Sequence, residues 1–423
     1  MMQDLQALLF FLAALIHLFF FVYNRYLLCI KEGRWKRPIL HLWLLGSVVF
    51  PFLTVLALWD VPAVRQALGW RPASLGAAGL FVAVAGLQAF FVARALMWLG
   101  SRIFPDRPGA LLSREVRKAG ASPVAPRLPP LVRQLETTGE LVVTRMEVAV
   151  GGLAPAFDGL TVVQVSDVHY GRHLELENYL ESAAQCVARL QPDIVVLTGD
   201  LVERRRDIRR AVEYHSKFAG RLATLAVLGN HDYWTDPDRI RRELAKTHIA
   251  WLGGGERRIL KRAGRRLIFT GTDAPWNNQR SADWRRLIRR EAGDAVVLLS
   301  HTPDNAPEAA RHGASLILSG HNHGGQYCLP LFGPFIVPSR YGLRYPGGVY
   351  RVGPESTLVV SRGIGVSEGG ARMLCPPEIC HLTLRPPAVD VMVGEAAPAV
   401  RRRVLLDRPP AEEEVPKGSA WVN

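Results

Sequence analysis

The sequence predicts a layered α/β domain placed behind three apolar helices. Three observations carry that expectation. The first hundred of the 423 residues are strongly apolar. Residues 101–140 are rich in Pro, Arg and small residues. From Leu141 onward, short β-branched runs alternate with helical stretches, which is the pattern of strands layered with helices.

Leu5 to Tyr23 is interrupted only by Gln6 and His17, and its length suits a helix crossing a bilayer core. A signal peptide would want a basic start and a small-residue cleavage site, and neither is visible. Ile39–Trp59 and Ser74–Leu99 are the second and third expected spans; the third carries Gly76, Gly79 and Gly86, which permit close helix packing. Arg25, Lys31, Arg34, Lys36 and Arg37 fill the first loop, against Arg65 and Arg71 in the second. Arg102, Arg107, Arg114, Arg117 and Lys118 follow the third span. Positive loops stay in the cytoplasm, so this bias predicts a multi-pass protein of the inner membrane with its carboxyl-terminal domain cytoplasmic.

Residues 101–140, with Pro105, Pro108, Pro123, Pro126, Pro129 and Pro130, read as a linker along the membrane surface. The catalytic domain is expected over 141–385. Its expected strands are Leu141–Val150, Leu160–Ser166, Ile194–Thr198, Thr224–Leu228, Leu267–Thr270, Ala295–Ser300, Ser315–Ser319 and Thr357–Ser361, with a helix over Leu176–Leu190. Residues 386–423 turn rich in Pro, Ala and charge and read as a disordered tail.

A net charge of +14 would suit nucleic acid, but the charge is scattered and lacks interleaved aromatics. Contact with anionic lipid headgroups is a simpler use for it. The five cysteines, Cys29, Cys186, Cys328, Cys375 and Cys380, are widely spaced without a C-x-x-C. That excludes a disulfide framework and a zinc ribbon, and the one close pair, Cys375 and Cys380, flanks Pro376-Pro377 and is expected to stay reduced.

The chemistry gathers at strand ends. Asp167 and His169 follow Ser166; Gly199 and Asp200 follow Thr198; Gly229, Asn230, His231 and Asp232 follow Leu228. His301 follows Ser300, and Gly320, His321, Asn322 and His323 follow Ser319. Each group alone has a plain reading, as a helix cap, a turn or a polar strand end. Five strands delivering carboxylate, amide and imidazole to one edge are harder to explain without a cation, because desolvated carboxylates repel. Oxygen and nitrogen donors in this number suit two divalent ions such as Mn, Fe, Zn or Mg.

The ordered set Asp-x-His, Gly-Asp, Gly-Asn-His-Asp, His and Gly-His-x-His resembles the calcineurin-like metallophosphoesterase superfamily, over about Leu141 to Leu384. Gly324-Gly-Gln326 and Pro338-Ser-Arg-Tyr-Gly342 are similar to its bacterial membrane-associated branch. The resemblance implies a layered β-sandwich flanked by helices. It implies that Asp167, His169 and His323 hold one metal, that Asn230, His301 and His321 hold the other, and that Asp200 bridges them. His231 would be the general acid, oriented by Asp232. The expected activity is hydrolysis of a phosphodiester or pyrophosphate, and the membrane spans favour a lipid-linked one. Tyr327, Leu329, Leu331, Phe332, Phe335 and Tyr341 could line an acyl groove or pack as a core loop, and Arg204–Arg206 could bind a second phosphate but read better as a solvated helix start. Two competing functions are an inactive membrane receptor or scaffold and a nuclease.

Overall fold

The computed structural model describes residues 109–119, 125–128, 130–172, 176–276, 282–329, 333–334, 336–367, 370–387 and 420–422. The three expected spans, 5–23, 39–59 and 74–99, lie outside these residues. Among the described residues no helix is long and apolar enough to cross a membrane.

The described residues between 109 and 329 and between 343 and 422 form one compact unit, built on two seven-stranded sheets. The first contains β1 (Gly109–Lys118), β2 (Glu140–Ala149), β3 (Thr161–Val165), β4 (Ile194–Thr198), β5 (Ala223–Val227) and β6 (Ile249–Trp251). The second contains β7 (Gly254–Arg262), β8 (Arg265–Thr272), β9 (Ala295–Ser300), β10 (Leu316–Ser319), β11 (Gly348–Gly353) and β12 (Ser356–Val360). With β13 (Glu378–Arg385) and β14 (Ala420–Val422), the orders are β1-β2-β13-β3-β4-β5-β6 and β11-β12-β10-β9-β8-β7-β14.

The alternation of side chains explains the layers. In β4, Ile194 and Val196 join Val162, Leu225 and Val227 in a core shared with Leu267, Phe269, Val297, Leu299, Leu316 and Leu318 of the other sheet. Val195 and Leu197, one residue out of phase, pack with Leu180, Val187, Ile208, Val212 and Ile240 instead. Those residues belong to α1 (Leu176–Leu190), α2 (Ile208–His215) and α4 (Pro237–Leu244), with the short α3 (Asn230–Thr235) between the last two. A strand buried on both faces needs a continuous apolar run, and Ile-Val-Val-Leu supplies one.

The expected linker and tail are both partly strand. Gly109–Lys118 pairs antiparallel with β2, and its Leu111, Leu112 and Val116 are exposed on the sheet edge. Pro-rich flanks concealed it, because only the backbone and not an apolar face holds it to the sheet. Ala420–Val422 pairs with Ile259–Lys261, so these three residues are not disordered. β7 was also missed: in Gly254–Arg262 only Gly255 and Leu260 are buried, so no apolar alternation announces the strand.

Candidate metal centre

β3, β4 and β5 run parallel in one sheet, and β9 and β10 run parallel in the other. Their carboxyl ends therefore open on common edges, where each chain must turn sharply. Asp167, His169, Asp200, His321 and His323 all take left-handed backbone conformations, with φ between 50° and 68°. Such conformations cost L-residues roughly 1–2 kcal/mol each and concentrate at functional sites. Here they turn five polar side chains inward.

Two glycines make room. A Cβ on Gly229 would stand 2.2 Å from Asp200 Oδ1, and one on Gly320 would stand 1.9 Å from Ser166 Oγ and 2.3 Å from Asp167 Oδ2. The strand ends are thus packed directly onto the carboxylates. His321 N donates to Asp167 Oδ1 at 3.0 Å, and His231 N donates to Asp200 Oδ1 at 2.9 Å.

All seven expected ligand residues come together. Asp167, His169 and His323 form one cluster of converging donor atoms, and Asp200, His301 and His321 form another. His169 Nε2 lies 2.9 Å from His323 Nε2, which is 3.3 Å from Asp167 Oδ1. In the second cluster His301 Nε2 lies 3.2 Å from Asn230 Oδ1 and 3.1 Å from His321 Nδ1. Asp200 Oδ2 stands between them, 3.2 Å from His301 Nε2 and 3.7 Å from His169 Nε2.

For His301 and His169 the outward nitrogen shows which atom is left to bind a cation. His301 Nδ1 lies 2.7 Å from Thr198 O, and His169 Nδ1 bonds to Glu203. A ring that donates from Nδ1 keeps its Nε2 lone pair for the cluster. His323 is fixed differently: Arg372 Nη2, a donor only, meets its Nδ1 at 3.2 Å. Converging carboxylate, amide and imidazole atoms without a thiolate fit two divalent ions.

The electrostatics match this crowding. Burial and Asp200 raise Asp167, whereas the imidazoles of His301, His231 and His169 overcome burial and hold Asp200 well below the carboxylate range. Burial, His169 and Arg372 push His323 down. His301 is lifted to about 9, since Asp200 outweighs its burial.

The expected partner of His231 is corrected. Asp232 is fully buried and accepts backbone N–H groups from Leu201 at 2.9 Å, Val202 at 3.1 Å and Gly229 at 2.9 Å. It ties the loop after β4 to the one after β5 and is spent on that task. Burial and Asp200 push its carboxyl up to about 7. The carboxylate facing His231 is Glu203, with Oε1 2.7 Å from Nδ1. Glu203 also bonds His169, and Arg172 Nη1 reaches its other oxygen at 2.9 Å. Glu203 went unnoticed because it lies three residues past Asp200, inside what reads as the start of an Arg-rich helix. Burial opposes the charge on His231, but Asp200 and Glu203 outweigh it and raise the imidazole above its ordinary range.

Around this core, the His231 ring lies 4.6 Å from that of Trp234, which is 56% exposed, and the Trp276 ring lies 5.6 Å from that of His321. Arg205 pairs with Asp236 at 3.0 Å, and Arg206 is exposed. Of the expected groove, Tyr327 is exposed, and Leu331, Phe332 and Phe335 lie outside the described residues.

Comparison with known proteins agrees with the geometry. The calcineurin-like phosphoesterase family model matches residues 160–325. The metallophosphoesterase YkuE of Bacillus subtilis is 28% identical over 283 residues, covering 66% of this chain and 94% of that protein. The phosphodiesterase YaeI of Escherichia coli is 27% identical, covering 53% and 81%. The UDP-2,3-diacylglucosamine pyrophosphatase LpxG of Chlamydia trachomatis is 28% identical, covering 52% and 82%. The matched segment holds the whole cluster of strand-end donors, so residues 160–325 are similar to the calcineurin-like phosphoesterases throughout the site, and the chain is a metal-dependent phosphoric ester hydrolase.

Proposed function

We propose that the protein is a membrane-anchored dinuclear phosphoesterase that hydrolyses a phosphodiester or pyrophosphate carried on a lipid. The observation that carries the dinuclear reading is Asp200 Oδ2, shared between the two clusters of donors. Asp167, His169 and His323 would hold one divalent ion and Asn230, His301 and His321 the other, with Asp200 between them. Ions held there would neutralise the phosphoryl oxygens and make hydroxide available near neutral pH.

His231 supplies the proton. Its Nδ1 is engaged by Glu203, which leaves Nε2 to protonate the departing ester oxygen. Asp200 and Glu203 outweigh burial and raise its pKa, which favours the charged ring, so it can also steady negative charge on phosphorus-bound oxygens. Asp232 acts at one remove, holding the loops that carry Asp200 and Asn230.

A lipid-linked substrate is supported by the apolar amino-terminal runs, by the basic loops between them and by the diacylglucosamine substrate in the name of LpxG. The test is to incubate the purified full chain with Mn and a panel of phosphodiesters, monoesters, nucleotide-sugar lipids and phospholipids, with metal counted per chain. Two metals and preferred cleavage of a lipid-linked diester or pyrophosphate are expected. A chain that binds no metal and cleaves none of them would favour the scaffold. Protease should digest the carboxyl-terminal domain in inside-out vesicles, and protection there would overturn the cytoplasmic orientation.

A further inference from the structure

Two cysteines lie against the candidate metal centre without belonging to it. Cys328 follows the His321–His323 loop and is partly exposed; Cys375, on the segment leading into β13, is 2% exposed. Their sulfurs converge on one point of the backbone, each approaching Gly324 O at 3.5 Å. Cys375 Sγ donates to His323 O as well, at 3.3 Å.

Backbone pairing fixes this approach. Met373 N donates to Gln326 O, and Cys328 N donates to Met373 O, each at 2.9 Å. Arg372, fully buried, sits behind the pair, with Nη1 on His323 O at 3.2 Å and on Cys375 O at 3.4 Å. Cys375 and Cys380, close in sequence, are not the ones brought together. Cys380 lies buried on β13.

We propose that Cys328 and Cys375 form a reversible dithiol–disulfide pair, oxidised by a hydroperoxide, whose closure weakens metal retention at the His323 side of the site. The metal clause rests on the reading of His323 as a ligand; the disulfide clause does not. Facing thiols on adjacent, hydrogen-bonded backbone segments are what a disulfide requires.

The exposed Cys328 sulfur attacks a peroxide oxygen and breaks the O–O bond, giving a sulfenic acid and one water. The Cys375 sulfur then attacks the sulfenic sulfur; hydroxide leaves, takes the Cys375 proton and departs as the second water. Each sulfur gives up one electron, and hydrogen peroxide is reduced to two waters. Closure removes both S–H donors from beside Gly324 O and His323 O, and His323 O then keeps Arg372 Nη1 and Gln326 N. The loop bearing His321 and His323 is thereby loosened, and loss of such outer support costs about 10–100-fold in metal affinity.

To test this, the purified full chain is treated with hydrogen peroxide, blocked with N-ethylmaleimide, digested and mapped by mass spectrometry. A linked peptide joining Cys328 to Cys375 is expected, lost on dithiothreitol treatment and absent from C328S and C375S. Mn affinity should fall about tenfold on oxidation of the wild type, return with dithiothreitol, and ignore peroxide in C328S. Recovery of the two cysteines as separate adducts or sulfinic acids would overturn the pair. A linked peptide with unchanged Mn affinity would overturn the coupling. A reduced chain that binds no Mn would instead refute the ligand reading, while the peptide map still decides the pair.

Discussion

Replacing Glu203 by Gln tests the proton chemistry at its most exposed joint. The substitution keeps an acceptor for His231 Nδ1, now 2.7 Å from Oε1, and removes the charge. A hydrogen bond to a charged group contributes about 1.5–3 kcal/mol against about 1 for a neutral one, so the change is worth roughly 0.5–2 kcal/mol. The imidazolium of His231 should therefore lose part of its elevation. Asp200 remains as the other carboxylate holding the ring charged, so the shift is partial. The sign follows from the acid role: turnover falls as pH rises through the pKa of His231, and the variant's fall begins at lower pH. With Mn-loaded enzyme, kcat at low pH should be nearly unchanged, and kcat on the alkaline limb should drop about tenfold. Metal content must be measured beside it, because Glu203 also bonds His169. An alkaline limb that stays in place while both metals are retained would refute the pairing as the source of the raised pKa.

Two further outcomes probe the frame around the site. Gly229→Ala would place a methyl 2.2 Å from Asp200 Oδ1, and the carboxylate between the two clusters must move. The variant should keep its circular dichroism spectrum but lose metal per chain, and full occupancy would show that Asp200 tolerates displacement. His215, buried in α2 with Nδ1 2.6 Å from Ala211 O, is pushed down to about 4 by burial. The unfolded chain takes up this proton near pH 6.5, so stability is present above 6.5 and is lost as pH falls toward 4, by up to about 3 kcal/mol. In urea titrations of chelated protein, His215→Leu should flatten this part of the pH dependence; an unchanged slope would refute it.

Much of this was legible before any coordinates, for a physical reason. Buried strands such as Ile194–Thr198 and Ala295–Ser300 must be apolar throughout, so their ends are sharp, and a carboxylate or imidazole just past an end stands out. What stayed hidden depends on contacts distant in sequence. Nothing local distinguishes Glu203 from the arginines after it, or marks Asp232 as a loop tie and not a partner of His231. Gly109–Lys118 pairs through its backbone while showing Leu111 and Leu112 to solvent, so its composition argued for a linker. The meeting of Cys328 with Cys375 follows from pairing between Gln326–Cys328 and Met373, which no spacing rule anticipates.

The donors are divided between two sheets: Asp167, His169, Asp200 and Asn230 follow strands of one, and His301, His321 and His323 follow strands of the other. His169 and His323, 2.9 Å apart, are separated by 154 positions in the chain. A ribosome must therefore pass His323, well into the second sheet, before an ion could find its complete set of partners. Metal uptake would then report that the halves have docked, and a bound ion would act as a rivet across their seam, stabilising the assembled state by mass action. Scarcity of the ion would show first as slow maturation of new chains, before old ones lost activity.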